Sequence, residues 1–520
     1  PSLASQTVPA TTIAAKPVRQ SVEIGINLGG IADWSTQWPF VDVFKTSRAW
    51  LSQQDGAGWD TGGPLDLTPD GWVASLKPGQ FAETIMLTGS PHYPAGQYTL
   101  LYEGEGKIAF RYANAKIISE QPGRMVVQVD PRDEAGVFLQ IRATNPNNPI
   151  RNIRFIMPGF EQTYQSQPFH PVFLQRLAKF RTLRFMDWMA TNNSDVVNWS
   201  DRNTPTSARQ SGGKGVALEY IIQLANTLKI DPWFTIPAKA SDDYVRQFAT
   251  MVRDRLDPSL TARIEYSNEI WNTMFAQHRY AAQQGRARNL DGNDYTAAIR
   301  YDSQRSVEVF KIVDQVFGNS ARRRVERVLA GQAANTWTGE EILSWQDAYK
   351  HADAYAIAPY FDGLKSGKGW QSDLNQAERV DAILQMSPQQ IVENLRADIA
   401  QEIKPMLDKN YAVATQRFNL PLYAYEGGPH LTAYQFPQDK IERVTDLFAQ
   451  VNRHPEMRTV YRAYLQQWQQ SGGTLFNQFV DVAKPGKWGF WGALEYQNQD
   501  PNQAPKYQGL MDFMQAKPTR

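Results

Sequence analysis

Two glutamates stand where short strand-like segments give way to loops. Glu269 follows the strand-like segment 263–267, and Glu426 ends the segment 422–426 directly before two glycines. A pair of carboxyl groups in one cleft can cleave a glycosidic bond when one is protonated and donates to the leaving oxygen while the other is ionised. Their surroundings must hold the two pKa values apart. This chemistry requires a fold that brings positions 269 and 426 together.

The second part of the chain alternates between strand and helix patterns. Helical patterns such as 215–228 and 242–256 carry apolar residues at spacings of three and four. Strand-like segments are centred near residues 184, 234, 265, 329, 356, 424 and 476. The alternating segment 22–28 supplies an eighth strand, so the sequence predicts an α/β fold, a (β/α)8 TIM barrel.

Residues from about 65 to 160 have a different character. Short alternating segments recur there about every ten residues, with turn signals between them and no helical period. This pattern is typical of a β-sandwich. We therefore expect a β-sandwich domain over 65–160, inserted after a first barrel strand and loop at 21–64, with the rest of the catalytic barrel over 161–520. In the alternative, segment 22–28 belongs to the sandwich and the barrel begins near Phe169.

The composition excludes several other classes of protein. A net charge of +1 argues against nucleic-acid binding, because phosphate binding requires concentrated basic residues. The chain has no cysteine, its six histidines lack metal-ligand spacing, and no phosphate-binding glycine motif occurs, so we expect no metal and no cofactor. No apolar segment reaches the length of a membrane span. Residues 1–20 are rich in Ala, Thr, Ser and Pro, which predicts a flexible leader in a secreted or periplasmic protein.

The barrel also predicts where the chemistry lies. Catalytic groups of such barrels stand at the carboxyl ends of the strands, where the loops converge. Glu269 and Glu426 would end the fourth and seventh strands, and across the mouth their carboxyl groups could reach the separation of about 5–5.5 Å that a retaining mechanism uses. Glu265, in the middle of its strand, is instead expected to form a structural ion pair.

An Asn-Glu pair after strand four and a Glu after strand seven resemble clan A of the glycoside hydrolases. The resemblance covers about 165–520 and assigns no individual family. It implies that Glu269 is the general acid/base and Glu426 the nucleophile, and that Asn268 binds the 2-hydroxyl of the sugar. It further implies that Arg184 lies beside the nucleophile, that Tyr360 steadies the same carboxylate, and that Trp488 or Trp491 is the platform under the sugar.

Three further residues are candidates for substrate contact by their positions. Trp271 follows Glu269, Asp187 ends the second strand, where it could hold a sugar hydroxyl or cap the loop, and His430 follows the seventh strand. Together these residues predict a retaining glycoside hydrolase that acts on a β-linked polysaccharide or oligosaccharide. A carbohydrate-binding or transglycosylating protein that uses the same cleft is the alternative. The oligomeric state stays open.

Overall fold

The structure is a computed structural model that describes residues 21–132, 135–364 and 376–516. The predicted leader at 1–20 lies outside the described residues. Within them the strands are β1 (Glu23–Asn27), β2 (Leu51–Gln54), β3 (Asp66–Leu67), β4 (Val73–Ser75), β5 (Gln80–Met86), β6 (Gly96–Glu103), β7 (Gly106–Phe110), β8 (Ala115–Gln121), β9 (Arg124–Val129), β10 (Val137–Thr144), β11 (Arg151–Ile156), β12 (Thr182–Arg184), β13 (Asp231–Ile236), β14 (Ala262–Tyr266), β15 (Val325–Ala330), β16 (Ala354–Ile357), β17 (Leu422–Ala424) and β18 (Gly473–Gln478).

Eight parallel strands close into a barrel in the order β1-β12-β13-β14-β15-β16-β17-β18. The first strand closes it, because Ile26 of β1 pairs with Leu183 of β12 while Ile24 pairs with Phe476 of β18. The predicted barrel is therefore confirmed. The alternative that began the barrel near Phe169 is wrong, since a barrel without β1 would leave two open edges.

Alternation of side chains along the barrel strands separates two apolar clusters. On β13, Trp233 packs inside the barrel with Ala354, Ala356 and Tyr425, whereas Phe234 points outward into the larger cluster beneath the helices. Small alanines on β16 leave space for the large rings, so the interior is filled with side chains. The barrel is thus a packed support for its mouth.

Helices follow most of the barrel strands. They are α1 (Pro171–Leu177), α2 (Leu218–Leu228), α3 (Asp242–Arg255), α4 (Ala276–Ala287), α5 (Asp294–Phe317), α6 (Ala321–Arg324), α7 (Thr336–Ser344), α8 (Gln376–Leu384), α9 (Pro388–Asp398), α10 (Lys404–Tyr411), α11 (Ile441–Arg453), α12 (Met457–Gln470) and α13 (Pro505–Gln515). Ser241 caps α3 as predicted, because its side chain accepts a hydrogen bond from the backbone N–H of Tyr244. None of the helices in the described ranges is long and apolar enough to cross a membrane.

The chain between β1 and β12 forms additional antiparallel sheets. Two of them have four strands each, in the orders β2-β5-β10-β7 and β11-β6-β9-β8, and β3 pairs with β4. Side chains of both four-stranded sheets, including Leu139 from one and Val127 from the other, share one buried cluster. The strand β2 precedes residue 65 and was not visible in the sequence pattern. The loop after β1 joins this part to the barrel, since the backbone N–H of Trp38 donates to Gln497 Oε1 over 2.9 Å.

Gly25 in β1 provides a test of how tightly the barrel interior is packed. A Cβ at this position would overlap Asn477 Oδ1 and lie 2.8 Å from the Cβ of Thr182. We expect Gly25→Ala to lower the free energy of unfolding by about 1–3 kcal/mol, because neighbouring side chains must move. Denaturant titration measures the loss. The control is Gly213→Ala, whose Cβ would have no heavy atom within 4 Å; equal midpoints for the two variants would contradict the packing described.

Candidate active site

The candidate residues meet at the carboxyl ends of the barrel strands. Arg184 ends β12, Asn268 and Glu269 follow β14, Tyr360 follows β16, and Glu426 follows β17. Parallel strands in a closed barrel all end at one mouth. Residues separated by up to 242 positions in the sequence therefore lie within hydrogen-bond distance of one another.

A buried guanidinium joins the two sides of this mouth. The side chain of Arg184 is fully buried; its Nη2 lies 2.9 Å from Glu265 Oε2 and its Nη1 lies 2.8 Å from Glu426 Oε1. It also donates to Asn27 Oδ1 over 3.1 Å and to Asn268 Oδ1 over 2.9 Å. Burial alone would lower the pKa of Arg184, but the two carboxylates outweigh burial and raise it. The ion pair predicted for Glu265 is present.

Glu426 is held at both carboxylate oxygens. Arg184 contacts Oε1, and the phenol of Tyr360 donates to Oε2 over 2.8 Å. The residue is 5% exposed. A cation and a hydroxyl donor both stabilise a negative charge on the carboxyl group. The proximity of Glu426 also raises the pKa of Tyr360, after burial, so that the phenol keeps its proton and remains a donor.

Glu269 has different surroundings from Glu426. Its oxygens accept hydrogen bonds from Asn272 Nδ2 over 3.0 Å and from the hydroxyl of Tyr425 over 3.2 Å. Burial, and then the charge of Glu426, raise the pKa of Glu269 to about 8. The two carboxyl groups therefore lie near enough for the charge of Glu426 to act on Glu269, which retains a proton at neutral pH.

The backbone before Glu269 is held in a conformation that residues other than glycine rarely adopt. Ser267 has φ of 59° and Glu269 has φ of 45°. Each such residue costs on the order of 1 kcal/mol, so the surrounding structure must compensate. The buried Ser267 lies between β14 and the loop, which turns Glu269 towards Tyr425.

Polar residues that the sequence reasoning missed hold these side chains in place. Asn268 Nδ2 donates to Asn192 Oδ1 over 2.9 Å, and Gln277 donates to the same oxygen over 2.7 Å. Asn27 donates to the backbone carbonyl of Tyr425 over 2.9 Å. Asn27 could have been noticed in the sequence, because it stands at the end of a strand. Asn192 and Gln277 gave no such signal.

Asp187 lies at the same mouth, after β12. Burial, and then the charge of Glu426, raise its pKa to about 7. Asp481, in the loop after β18, contributes to this shift; its own pKa rises to about 6 through burial. Asp481 accepts hydrogen bonds from the backbone N–H of Gly29 and from the side chain of Gln37. The sequence reasoning did not single out Asp481.

The aromatic candidates divide into an inner and an outer group. The ring of Trp491 lies 5.8 Å from that of Tyr360 and 5.1 Å from that of His430 between centroids, so it stands close to Glu426. Trp271 lies on the Glu269 side and donates to the hydroxyl of Tyr425 over 3.3 Å. Trp488 is farther out and is 66% exposed. Within the described residues, no group of side chains could hold a metal ion.

Comparisons with known proteins give structural neighbours only. No family model matches the chain, and no curated protein matches it. The matching solved structures include a GH5-4 broad specificity endoglucanase from Clostridium acetobutylicum, at 10% identity over 65% of this chain and 88% of that one, with a TM-score of 0.34. An endo-1,4-beta-D-mannanase from Thermotoga petrophila, at 12% identity over 65% and 94%, has a TM-score of 0.30.

Two fungal beta-1,4-galactanases described together give a further match, at 11% identity over 66% of this chain and 92% of that one, with a TM-score of 0.35. These neighbours are glycoside hydrolases. The endoglucanase is a GH5 enzyme, and GH5 belongs to clan A, whose pattern of glutamates at strand ends resembles the pattern in this chain.

The buried position of Arg184 yields a stability test. Arg184→Met leaves two buried carboxylates without their cation, and we expect the free energy of unfolding to fall by about 3–5 kcal/mol. The control is Arg124→Met, which breaks a pair with Glu161 whose two side chains are 33% and 31% exposed; a loss of about 0–1 kcal/mol is expected there. Denaturant midpoints measure both variants, and a small loss for Arg184→Met would contradict the role given to this guanidinium.

Proposed function

We propose that this protein is a retaining glycoside hydrolase that cleaves a β-linked polysaccharide or oligosaccharide by double displacement. The observation that carries the proposal is the contrast between two carboxyl groups at one end of the barrel. Glu426 is paired with the guanidinium of Arg184, whereas the pKa of Glu269 is raised by burial and by the charge of Glu426. A carboxylate that can attack and a carboxyl group that keeps a proton to donate are what acid-assisted nucleophilic substitution at a sugar requires.

The first half of the reaction forms a covalent intermediate. A carboxylate oxygen of Glu426 attacks the anomeric carbon while the bond to the leaving oxygen breaks, and that oxygen takes the proton of Glu269. Tyr360 and Arg184 hold the attacking carboxylate in place. An amide nitrogen carries two hydrogens, and Asn192 accepts one from Asn268. We assign the other to the 2-hydroxyl of the sugar.

The second half releases the sugar. Glu269, now ionised, accepts a proton from a water molecule as the water attacks the anomeric carbon, and Glu426 leaves as a carboxylate. If a sugar hydroxyl takes the place of that water, the same residues perform transglycosylation. A protein that only binds carbohydrate gains nothing from two buried carboxyl groups held close together, because raising the pKa of one of them costs folding free energy. The pocket therefore favours turnover over binding alone.

The antiparallel sheets and the location of the protein belong to the same proposal. The two four-stranded sheets share one buried cluster and lie in sequence between β1 and β12. We assign them to a β-sandwich module inserted after the first barrel strand, which positions the loop after β1 at the mouth. We also propose that the protein is secreted or periplasmic, because a polymeric substrate lies outside the cytoplasm.

Removal of either carboxyl group tests the catalytic assignment. We expect Glu269→Gln to lower kcat/KM by about 10²–10⁴-fold through loss of the general acid, and Glu426→Gln by more than about 10⁴-fold through loss of the nucleophile. Glu456→Gln, at an exposed ion pair with Arg396, is the control and should keep full activity. Hydrolysis is followed on a panel of β-linked glucans, mannans, galactans and xylans, and NMR shows the anomer released first.

In this experiment the first product should be the β-anomer, because two displacements restore the configuration. An α-anomer as first product would replace the retaining mechanism with an inverting one. Glu269→Gln and Glu426→Gln variants that both keep wild-type rates would remove the proposed function altogether.

The pH dependence of kcat/KM tests the role of Glu269 separately. Because Glu269 must be protonated to donate, activity should fall as pH rises through about 8, the raised pKa of this residue. In Glu269→Gln, assayed on aryl glycosides with good leaving groups, this decline should disappear. Asp187 has a pKa of about 7 in the same mouth, so Asp187→Asn is the control. If Asp187→Asn removes the decline and Glu269→Gln keeps it, the acid has been assigned to the wrong residue.

A further inference from the structure

The loop after β18 presents an exposed indole at the mouth of the barrel. Gly486 and Gly489 exchange backbone hydrogen bonds of 3.3 and 2.9 Å, which closes a tight hairpin with Lys487 and Trp488 at its tip. Gly489 has φ of 141°, a conformation that favours glycine. The hairpin places Trp488 at its tip, where the residue is 66% exposed.

A second aromatic residue from the neighbouring loop packs against this indole. The rings of Tyr434 and Trp488 stack with centroids 5.3 Å apart and an interplanar angle of 29°. The backbone N–H of Tyr434 donates to the carbonyl of Lys487 over 3.0 Å, so the two loops are joined. Tyr434 is itself 42% exposed. Exposed aromatic rings that are held rigidly usually mark a binding surface, because leaving them in water is unfavourable.

This pair is continuous with the proposed active site. Trp491 Nε1 donates to the backbone carbonyl of Trp488 over 3.1 Å, and the ring of Trp491 contacts Tyr360, which in turn binds Glu426. Aromatic surface therefore runs outward from the nucleophile. Trp491 lies beside the sugar that is cleaved, whereas Trp488 is displaced from it towards the solvent.

The position of the pair in the barrel indicates which part of the substrate it contacts. Glu269 follows β14, the fourth strand of the barrel, and Trp488 follows β18, the eighth, which lies on the opposite side of the mouth. The general acid stands next to the leaving group, because it must give its proton to the leaving oxygen. The side opposite the acid is therefore the side on which the sugar chain that stays on the enzyme lies.

We propose that Trp488 and Tyr434 form a second sugar-binding subsite, on the side of the sugar chain that stays on the enzyme; this inference rests on the proposed function. The substrate is then a chain with at least two sugars on that side of the cleaved bond. A pyranose ring presents an apolar face of C–H groups that can stack on the exposed indole. The ammonium of Lys487, 5.0 Å from the centroid of the Trp488 ring, can donate to hydroxyl oxygens of the same sugar. Binding of a sugar away from the reacting carbon can increase the rate of cleavage as well as the affinity for the substrate.

The test compares aryl β-glycosides that carry one, two or three sugars on the non-leaving side, in the glucose, mannose, galactose and xylose series. For the unaltered protein we expect kcat/KM to rise about tenfold or more from one sugar to two. Trp488→Ala should remove most of this increase, so that the ratio of kcat/KM for two sugars to kcat/KM for one sugar falls towards one. Trp59→Ala is the matched control, since Trp59 is 51% exposed and packs against Phe138 of β10, in one of the antiparallel sheets.

Two results would overturn the subsite. One is an unaltered protein with equal kcat/KM for one, two and three sugars. The other is an equal loss for Trp488→Ala on short and long substrates, which would place the indole at the cleaved sugar. Thermal unfolding of each variant shows whether a loss reflects folding.

A protein that hydrolyses no glycoside in the panel, short or long, overturns the proposed function instead. The subsite is then tested by binding alone, from the change in tryptophan fluorescence on titration with oligosaccharides of one to six sugars. Affinity that rises with length and falls in Trp488→Ala supports the subsite without turnover. Affinity that is independent of length, or unchanged in Trp488→Ala, overturns it.

Discussion

The buried guanidinium of Arg184 is the interaction on which the rest of the site depends. Taking a cation and two carboxylates out of water is costly, and the cost is recovered only when every partner is well placed. Arg184 forms ion pairs with both Glu265 and Glu426. The amide oxygens of Asn27 and Asn268 accept hydrogen bonds from its remaining N–H groups. Burial, and then the charge of Glu426, raise the pKa of Glu269, which therefore retains its proton at neutral pH.

The barrel supplies the rigidity that this arrangement requires. Its interior is filled by side chains of β13, β16 and β17, so the strand ends cannot shift independently. The loops above are less regular and hold the left-handed residues Ser267 and Glu269. The packing of the barrel thus compensates for the backbone strain in the loop above it, as is common where strained residues persist in proteins. The loop after β1 is tied to the segment before β2 by the ion pair between Asp33 and Arg48.

The resemblance to clan A implied Arg184 and Tyr360, and the rule that catalytic groups stand at the ends of barrel strands directed attention to Glu269 and Glu426. It failed for residues such as Asn192 and Gln277, whose partners lie about 80 positions away and leave no local pattern. Among the helices, α1, α4, α6, α8 and, beyond residue 404, α10 were missed. Few large apolar residues lie on α4, where the buried positions include Gln277, His278 and Gly285, so no helical period was visible.

By itself, the sequence determined the alternation of strands and helices, the change to short strands after β1, and the two glutamates at strand ends. These features depend on local periodicity and turn residues, which every segment carries in its own composition. Only the tertiary structure decided that β1 closes the barrel, that one arginine serves two carboxylates, and that Trp491 lies inside and Trp488 outside. Those properties depend on distances between remote segments, and they arise only when packing brings the segments together.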